Sequence, residues 1–84
     1  MKLVFHERAW EGYLHWQATD PKLLKRLNGS IQECLRTPFV GTGKPEPLRG
    51  DLSGWWSRRI TAEYRLVYQP AGDRLLIAQC RYHY

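Results

Sequence analysis

The sequence predicts one α+β domain over residues 1–84, in the order β-α-α-β-β-β, with an antiparallel sheet and two helices packed on one of its faces. Three observations point there. Apolar residues recur at helical spacing through most of the first 36 positions. A Pro- and Gly-rich stretch then interrupts the pattern. After it come three short β-like runs separated by turn residues.

Lys2 to His6 reads as a first strand, with Leu3, Val4 and Phe5 between polar ends. Glu7 to Ala18 reads as a helix carrying Trp10, Tyr13, Leu14 and Ala18 on one stripe. Thr19-Asp20-Pro21 is a boundary: Asp20 suits an N-cap and Pro21 the first helical position. The second helix runs to about Leu35, and Leu24, Leu27, Ile31, Cys34 and Leu35 follow its period. Gly29 weakens it by about 1 kcal/mol relative to Ala without breaking it, and Thr37-Pro38 ends it.

Seven prolines and glycines crowd residues 38–54, which reads as an ordered or semi-ordered loop and not a linker. Loops this long inside a small domain are often functional. Within it, Pro45 and Pro47 narrow the backbone freedom of Glu46. A meander follows: Trp55 to Ile60, Tyr64 to Gln69, and Arg74 to about Tyr82, with turns at 61–63 and 70–73.

The net charge of +5 has nine Arg among its thirteen basic residues, which suits an anionic partner such as RNA or DNA. The plainer reading is that the charge keeps a small protein soluble. Cys34 and Cys80 fit no zinc pattern and read as buried thiols. His6, His15 and His83 show no metal-ligand spacing. Leu3-Val4-Phe5 is too short for a signal peptide, and no run reaches transmembrane length. A cytoplasmic, reduced protein without membrane contact is expected.

The chain ends on Arg81-Tyr82-His83-Tyr84, an unusual tail of aromatics, a cation and an imidazole. Histidine trades protons near neutral pH, and tyrosine offers a ring for stacking. A symmetric 61–63 turn places Arg59 opposite Arg65, a like-charge pair that calls for an anion. A symmetric 70–73 turn carries His83 and Tyr84 to the same end of the sheet. Taken singly, each has a plain explanation: splayed surface arginines, a solvated terminal histidine, a solvated loop carboxylate at Glu46. Together, a carboxylate, a histidine and two arginines suffice to cut RNA. A base takes the 2′-OH proton, arginine stabilises the phosphorane charge, and an acid protonates the leaving 5′-oxygen.

The segments Arg36-Thr37-Pro38-Phe39, Gly43-Lys44-Pro45-Glu46-Pro47-Leu48, Leu52-Ser53-Gly54, Trp56-Ser57-Arg58-Arg59-Ile60-Thr61, Tyr64-Arg65-Leu66-Val67-Tyr68 and Cys80-Arg81-Tyr82-His83-Tyr84 closely resemble the YoeB-type toxins of the RelE/ParE superfamily, over essentially the whole chain. The resemblance implies a RelE-like fold and a ribosome-dependent mRNA interferase that cleaves message in the A site with no metal or organic cofactor. It implies Glu46 as general base, His83 as general acid, Arg65 on the scissile phosphate, and Tyr84 holding substrate. Lys44, Arg49 and Arg59 would contact RNA or phosphate; Arg49 stands where many relatives have lysine, which keeps the charge but not the proton donor. It further implies a YefM-like antitoxin with an acidic, partly disordered segment, and a toxin homodimer.

Two other roles fit the scaffold. One is a non-catalytic, ParE-like inhibitor of DNA gyrase, because superfamily folds do not fix function; the Arg81–Tyr84 ending argues against it. The other is autoregulation through an antitoxin–DNA complex, which is compatible with a nuclease.

Overall fold

A computed structural model of the chain describes residues 1–82; His83 and Tyr84 lie outside the described residues. Helix α2, Pro21–Arg36, starts as its sequence dictates. The Asp20 carboxylate accepts the Leu23 N–H at 3.1 Å, and Pro21 occupies the first turn. Its inner face is Leu23, Leu27, Ile31 and Cys34, with Leu24 and Leu35 partly buried. Gly29 sits mid-helix without interrupting it.

Helix α1, Glu7–Thr19, differs from expectation in the face it buries. Ala9, Gly12 and Trp16 point inward, while Trp10, Leu14 and Ala18 are exposed. The reason is close approach. A Cβ at Gly12 would meet the Arg81 Cβ at 3.1 Å and the Cys80 Sγ at 3.2 Å, so small residues let the helix backbone lie against the chain end. The Trp16 indole N–H donates to the Cys80 carbonyl at 3.0 Å, and the Cys80 thiol donates to the Ala9 carbonyl at 3.3 Å. Trp10 instead stacks on Tyr13, with ring centroids 5.6 Å apart.

Strands β1 (Lys2–Phe5), β2 (Glu46–Pro47), β3 (Trp56–Arg59), β4 (Arg65–Ala71) and β5 (Arg74–Gln79) form one sheet in the order β1-β5-β4-β3-β2. The β2–β5 part is antiparallel, as expected, but β1 joins β5 in parallel. Strand periodicity carries no information on direction or partner, so that pairing was invisible locally. The 38–54 segment also holds more structure than a loop: β2 lies along β3, and a 3₁₀ turn spans Gly50–Leu52. Pro47, which lacks an N–H, is tolerated because β2 is an edge strand.

The 61–63 turn is symmetric and sets Arg59 against Arg65. The 70–73 turn begins symmetrically at Ala71↔Arg74, but the register slips after Tyr68↔Ile77, so that Val67 faces Gln79. This bulge turns Cys80 inward, where α1 captures it, and β5 stops at Gln79 instead of reaching Tyr82. Leu66, Tyr68, Leu75 and Ile77 face the helices and fill the core with α2. Both cysteines are buried free thiols, as the composition suggested. Among the described residues, no helix is long and apolar enough to cross a membrane.

Candidate active site

Alternation along β3 and β4 separates two kinds of residue. Trp56, Arg58, Leu66 and Tyr68 share the helix-facing side; Ser57, Arg59, Arg65 and Val67 share the other. Glu46 pairs with Ser57 and lands on that second face. Its Oε1 lies 3.4 Å from Arg65 Nη1, and the same nitrogen donates to Ser57 Oγ at 3.2 Å. Ser57 is fully buried, whereas the Glu46 side chain remains about half exposed, at 49%. A half-exposed carboxylate thus stands beside a guanidinium that is 20% exposed, above the buried Ser57 and Val67 of the same sheet face.

The remaining expected site residues distribute as follows. Arg59 is exposed directly across the strand pair from Arg65. Lys44 is exposed two residues before Glu46 and, among the described residues, is the sole non-glycine with positive φ, at 51°. Arg49 is exposed at the start of the 3₁₀ turn. His83 and Tyr84 lie outside the described residues. The chain leading to them is anchored: the Gln79 amide donates to the Tyr82 carbonyl at 2.9 Å, and the Arg8 guanidinium lies 4.6 Å from the Tyr82 ring centroid.

A buried cluster that sequence reading missed positions the segment entering β2. Arg58 is completely buried. Its Nη2 donates to the carbonyls of Thr37 at 2.9 Å and Val40 at 3.1 Å, with Pro38 at 3.5 Å. The Tyr68 hydroxyl also donates to the Pro38 carbonyl. Arg58 Nη1 lies 3.4 Å from Glu33 Oε1, and the Glu33 carboxylate accepts both the N–H and the hydroxyl of Thr42. Those Thr42 hydrogen bonds, and then the Arg58 and Arg36 charges, hold the Glu33 carboxyl below its ordinary range. Arg58 Nε and Nη1 have no hydrogen-bond partner among the described residues, so the cation is dry and its charge depends on Glu33. The signal was present: Trp56, Arg58 and Ile60 are i, i+2, i+4 in one strand, which puts Arg58 on the apolar side.

One residue further on, the Arg59 N–H donates to the Gly43 carbonyl at 2.7 Å. A Cβ on Gly43 would come within 2.6 Å of Arg58 Cγ and 2.7 Å of the Arg59 carbonyl, and its φ is +80°. Only glycine fits there. Among the described residues, no group of three or more His, Cys, Asp or Glu is placed to hold a metal ion.

Comparison with known proteins agrees with this architecture. Residues 5–84 match the family described as the YoeB-like toxin of bacterial type II toxin–antitoxin systems. The chain is 58% identical to toxin YoeB of Escherichia coli K12, over 84 residues and the full length of both. A YoeB/ParE toxin structure from Agrobacterium tumefaciens superposes with a TM-score of 0.95 at 52% identity, covering both chains fully. YoeB from Staphylococcus aureus, seen in complex with YefM, superposes at 0.92 with 38% identity over 100% of this chain and 98% of that one. A YoeB dimer structure from S. aureus gives 0.93 and 39% over the same shares. With its fold, its Glu46–Arg65 pair and its full-length likeness to these proteins, the chain belongs to the YoeB-like toxins of bacterial type II toxin–antitoxin systems.

Proposed function

We propose that this toxin is a metal-independent endoribonuclease that cleaves messenger RNA in the ribosomal A site and so blocks translation. The observation that carries the reading is the partly exposed Glu46 carboxylate held 3.4 Å from Arg65 on a sheet face that also carries Arg59. Glu46 takes the ribose 2′-OH proton, and the 2′-oxygen attacks the adjacent phosphorus. Arg65 stabilises the charge that grows on the phosphoryl oxygens. His83 protonates the departing 5′-oxygen, leaving a 2′,3′-cyclic phosphate and a 5′-hydroxyl. Tyr84 holds the substrate, and Lys44, Arg49 and Arg59 contact its phosphates.

The ribosome supplies substrate alignment. A half-exposed carboxylate does not by itself fix a flexible RNA in line, and a displacement of about 1 Å can cost about 100-fold in rate. The partners that fit are a YefM-like antitoxin, as in the S. aureus complex, and a second copy of the chain, as in the S. aureus dimer. A cytoplasmic location follows from a ribosomal target.

Primer extension on a defined message in purified translation components tests the reading. The expected result is a discrete cut in the A-site codon that needs the ribosome and is lost in His83→Ala. An uncut message with translation continuing, together with inhibited DNA supercoiling, would replace it with a ParE-like gyrase inhibitor. Metal independence is checked separately on free oligoribonucleotide at high protein concentration, where slow cleavage persists in excess chelator.

A further inference from the structure

A groove of about 630 Å³ lies beside the sheet face, walled by α2, the Thr42–Lys44 segment and the Ile60–Ala62 turn. Arg26 of α2, Lys44 of the segment before β2 and Arg59 of β3 line it. Among the described residues none of the three has an ion-pair partner. The acid in its wall, Glu33, is already committed to Thr42 and Arg58. The groove is therefore a concave surface of uncompensated positive charge, which concentrates anions.

Its walls are built to hold an extended anion. Thr61 Oγ1 accepts the N–H groups of Glu63 and Tyr64, both at 3.2 Å, so its own proton is the one left to donate into the groove. The Lys44 backbone is held in the left-handed region next to the pinned Gly43, which fixes the direction of its Cα–Cβ bond. On the helix wall, a Cβ at Gly29 would meet nothing within 4 Å, so a ligand backbone can come close to α2. Arg59 belongs both to this groove and to the Glu46–Arg65 face, and Lys44 is at most about 7 Å of extended chain from Glu46.

We infer that this groove is a second, non-catalytic binding site for the sugar–phosphate backbone of single-stranded RNA, with Arg26 and Lys44 as its phosphate ligands. The inference rests on the RNA-cleaving reading of the adjacent face, because that is what brings a strand to the groove's mouth. The phosphates come either from the message beyond the scissile bond or from ribosomal RNA.

Gly29→Glu tests it without threatening the fold, because the position is open and glutamate has a higher helix propensity than glycine. The introduced carboxylate sits one turn from Arg26 and would neutralise it. Gly29→Gln controls for bulk, and Arg26→Ala removes the ligand independently. The probe is a fluorescent, fully 2′-O-methylated oligoribonucleotide that cannot be cut, titrated at several salt concentrations, with message-free ribosomes as a second target. Gly29→Glu and Arg26→Ala should weaken binding about tenfold and lower the salt slope by about 1, while Gly29→Gln stays near wild type. Loss on the oligonucleotide assigns the groove to message; loss on ribosomes alone assigns it to ribosomal RNA. Unchanged affinity of both variants for both targets would overturn the site. So would polyglutamate of equal charge binding as tightly as the RNA, which would make the occupant an acidic peptide. A protein that binds through Gly29 and Arg26 but never cuts RNA would sink the nuclease reading and leave the groove standing.

Discussion

Glu46 and Arg65 are nineteen positions apart, and their meeting depends on side-chain chemistry as well as register. Glu46→Gln keeps the shape and removes the proposed base, so ribosome-dependent cleavage should fall by about 10²- to 10⁴-fold with the urea midpoint unchanged. Near-wild-type cleavage in a folded Glu46→Gln protein would remove Glu46 from the reaction. Arg58 makes the opposite prediction. Replacing it with Ala strips a buried cation from Glu33 and leaves the Thr37 and Val40 carbonyls short of a donor, while Pro38 keeps the Tyr68 hydroxyl. Stability should drop by about 3 kcal/mol or more in urea unfolding, and Arg58→Lys should recover little, because a lysine lacks the planar fork. Cleavage and stability then separate the two kinds of arginine: Arg65, proposed to act in the reaction, and Arg58, which anchors the segment entering β2.

At the scale of elements, the segment between α2 and β3 decides whether Glu46 arrives. Gly43→Ala places a methyl against the Arg59 backbone at a φ of +80°. It should cost about 1–3 kcal/mol and lower cleavage beyond that loss, since Lys44 to Glu46 must shift. A mutant with wild-type stability and rate would show that the segment is not held as described. The same segment should loosen in acid. The Glu33 carboxyl is held below its ordinary 4.5 by Thr42, so its contribution is full above that value and fades as pH falls through the lowered one. Amide exchange at Thr42 and Gly43, followed downward from pH 4.5, should rise before global unfolding; exchange that rises only with the global transition would contradict it. The Pro- and Gly-rich composition announced an ordered segment, but not its β2 pairing or its Arg58 anchor, because both partners lie far along the chain.

Over the whole molecule, burial pushes the Cys34 thiol up to about 11, and the Cys80 thiol and Tyr68 phenol up to about 12. Each binds its proton more tightly folded than unfolded. Stability should therefore be full below 9.0 and decline as pH rises from 9.0 toward about 11. A urea midpoint that stays flat over that interval would argue against buried thiols. The helices, the meander, most of the α2 core face (Leu27, Ile31 and Cys34, though not Leu23), the cysteine state and the family motifs were legible in the sequence, since each is written in residues a few positions apart. So was the Arg59–Arg65 pairing, because a short symmetric turn sets register locally. The docking face of α1 was not: Trp10 and Leu14 advertise an apolar stripe, yet Ala9 and Gly12 are what allow contact with Cys80 and Arg81. Nor were the parallel β1–β5 pairing, the bulge that turns Cys80 inward, or the gathering of Arg26, Lys44 and Arg59 around one groove. Local spacing determined which elements exist; contacts between distant segments, which spacing does not encode, decided how they face one another and where the charges meet.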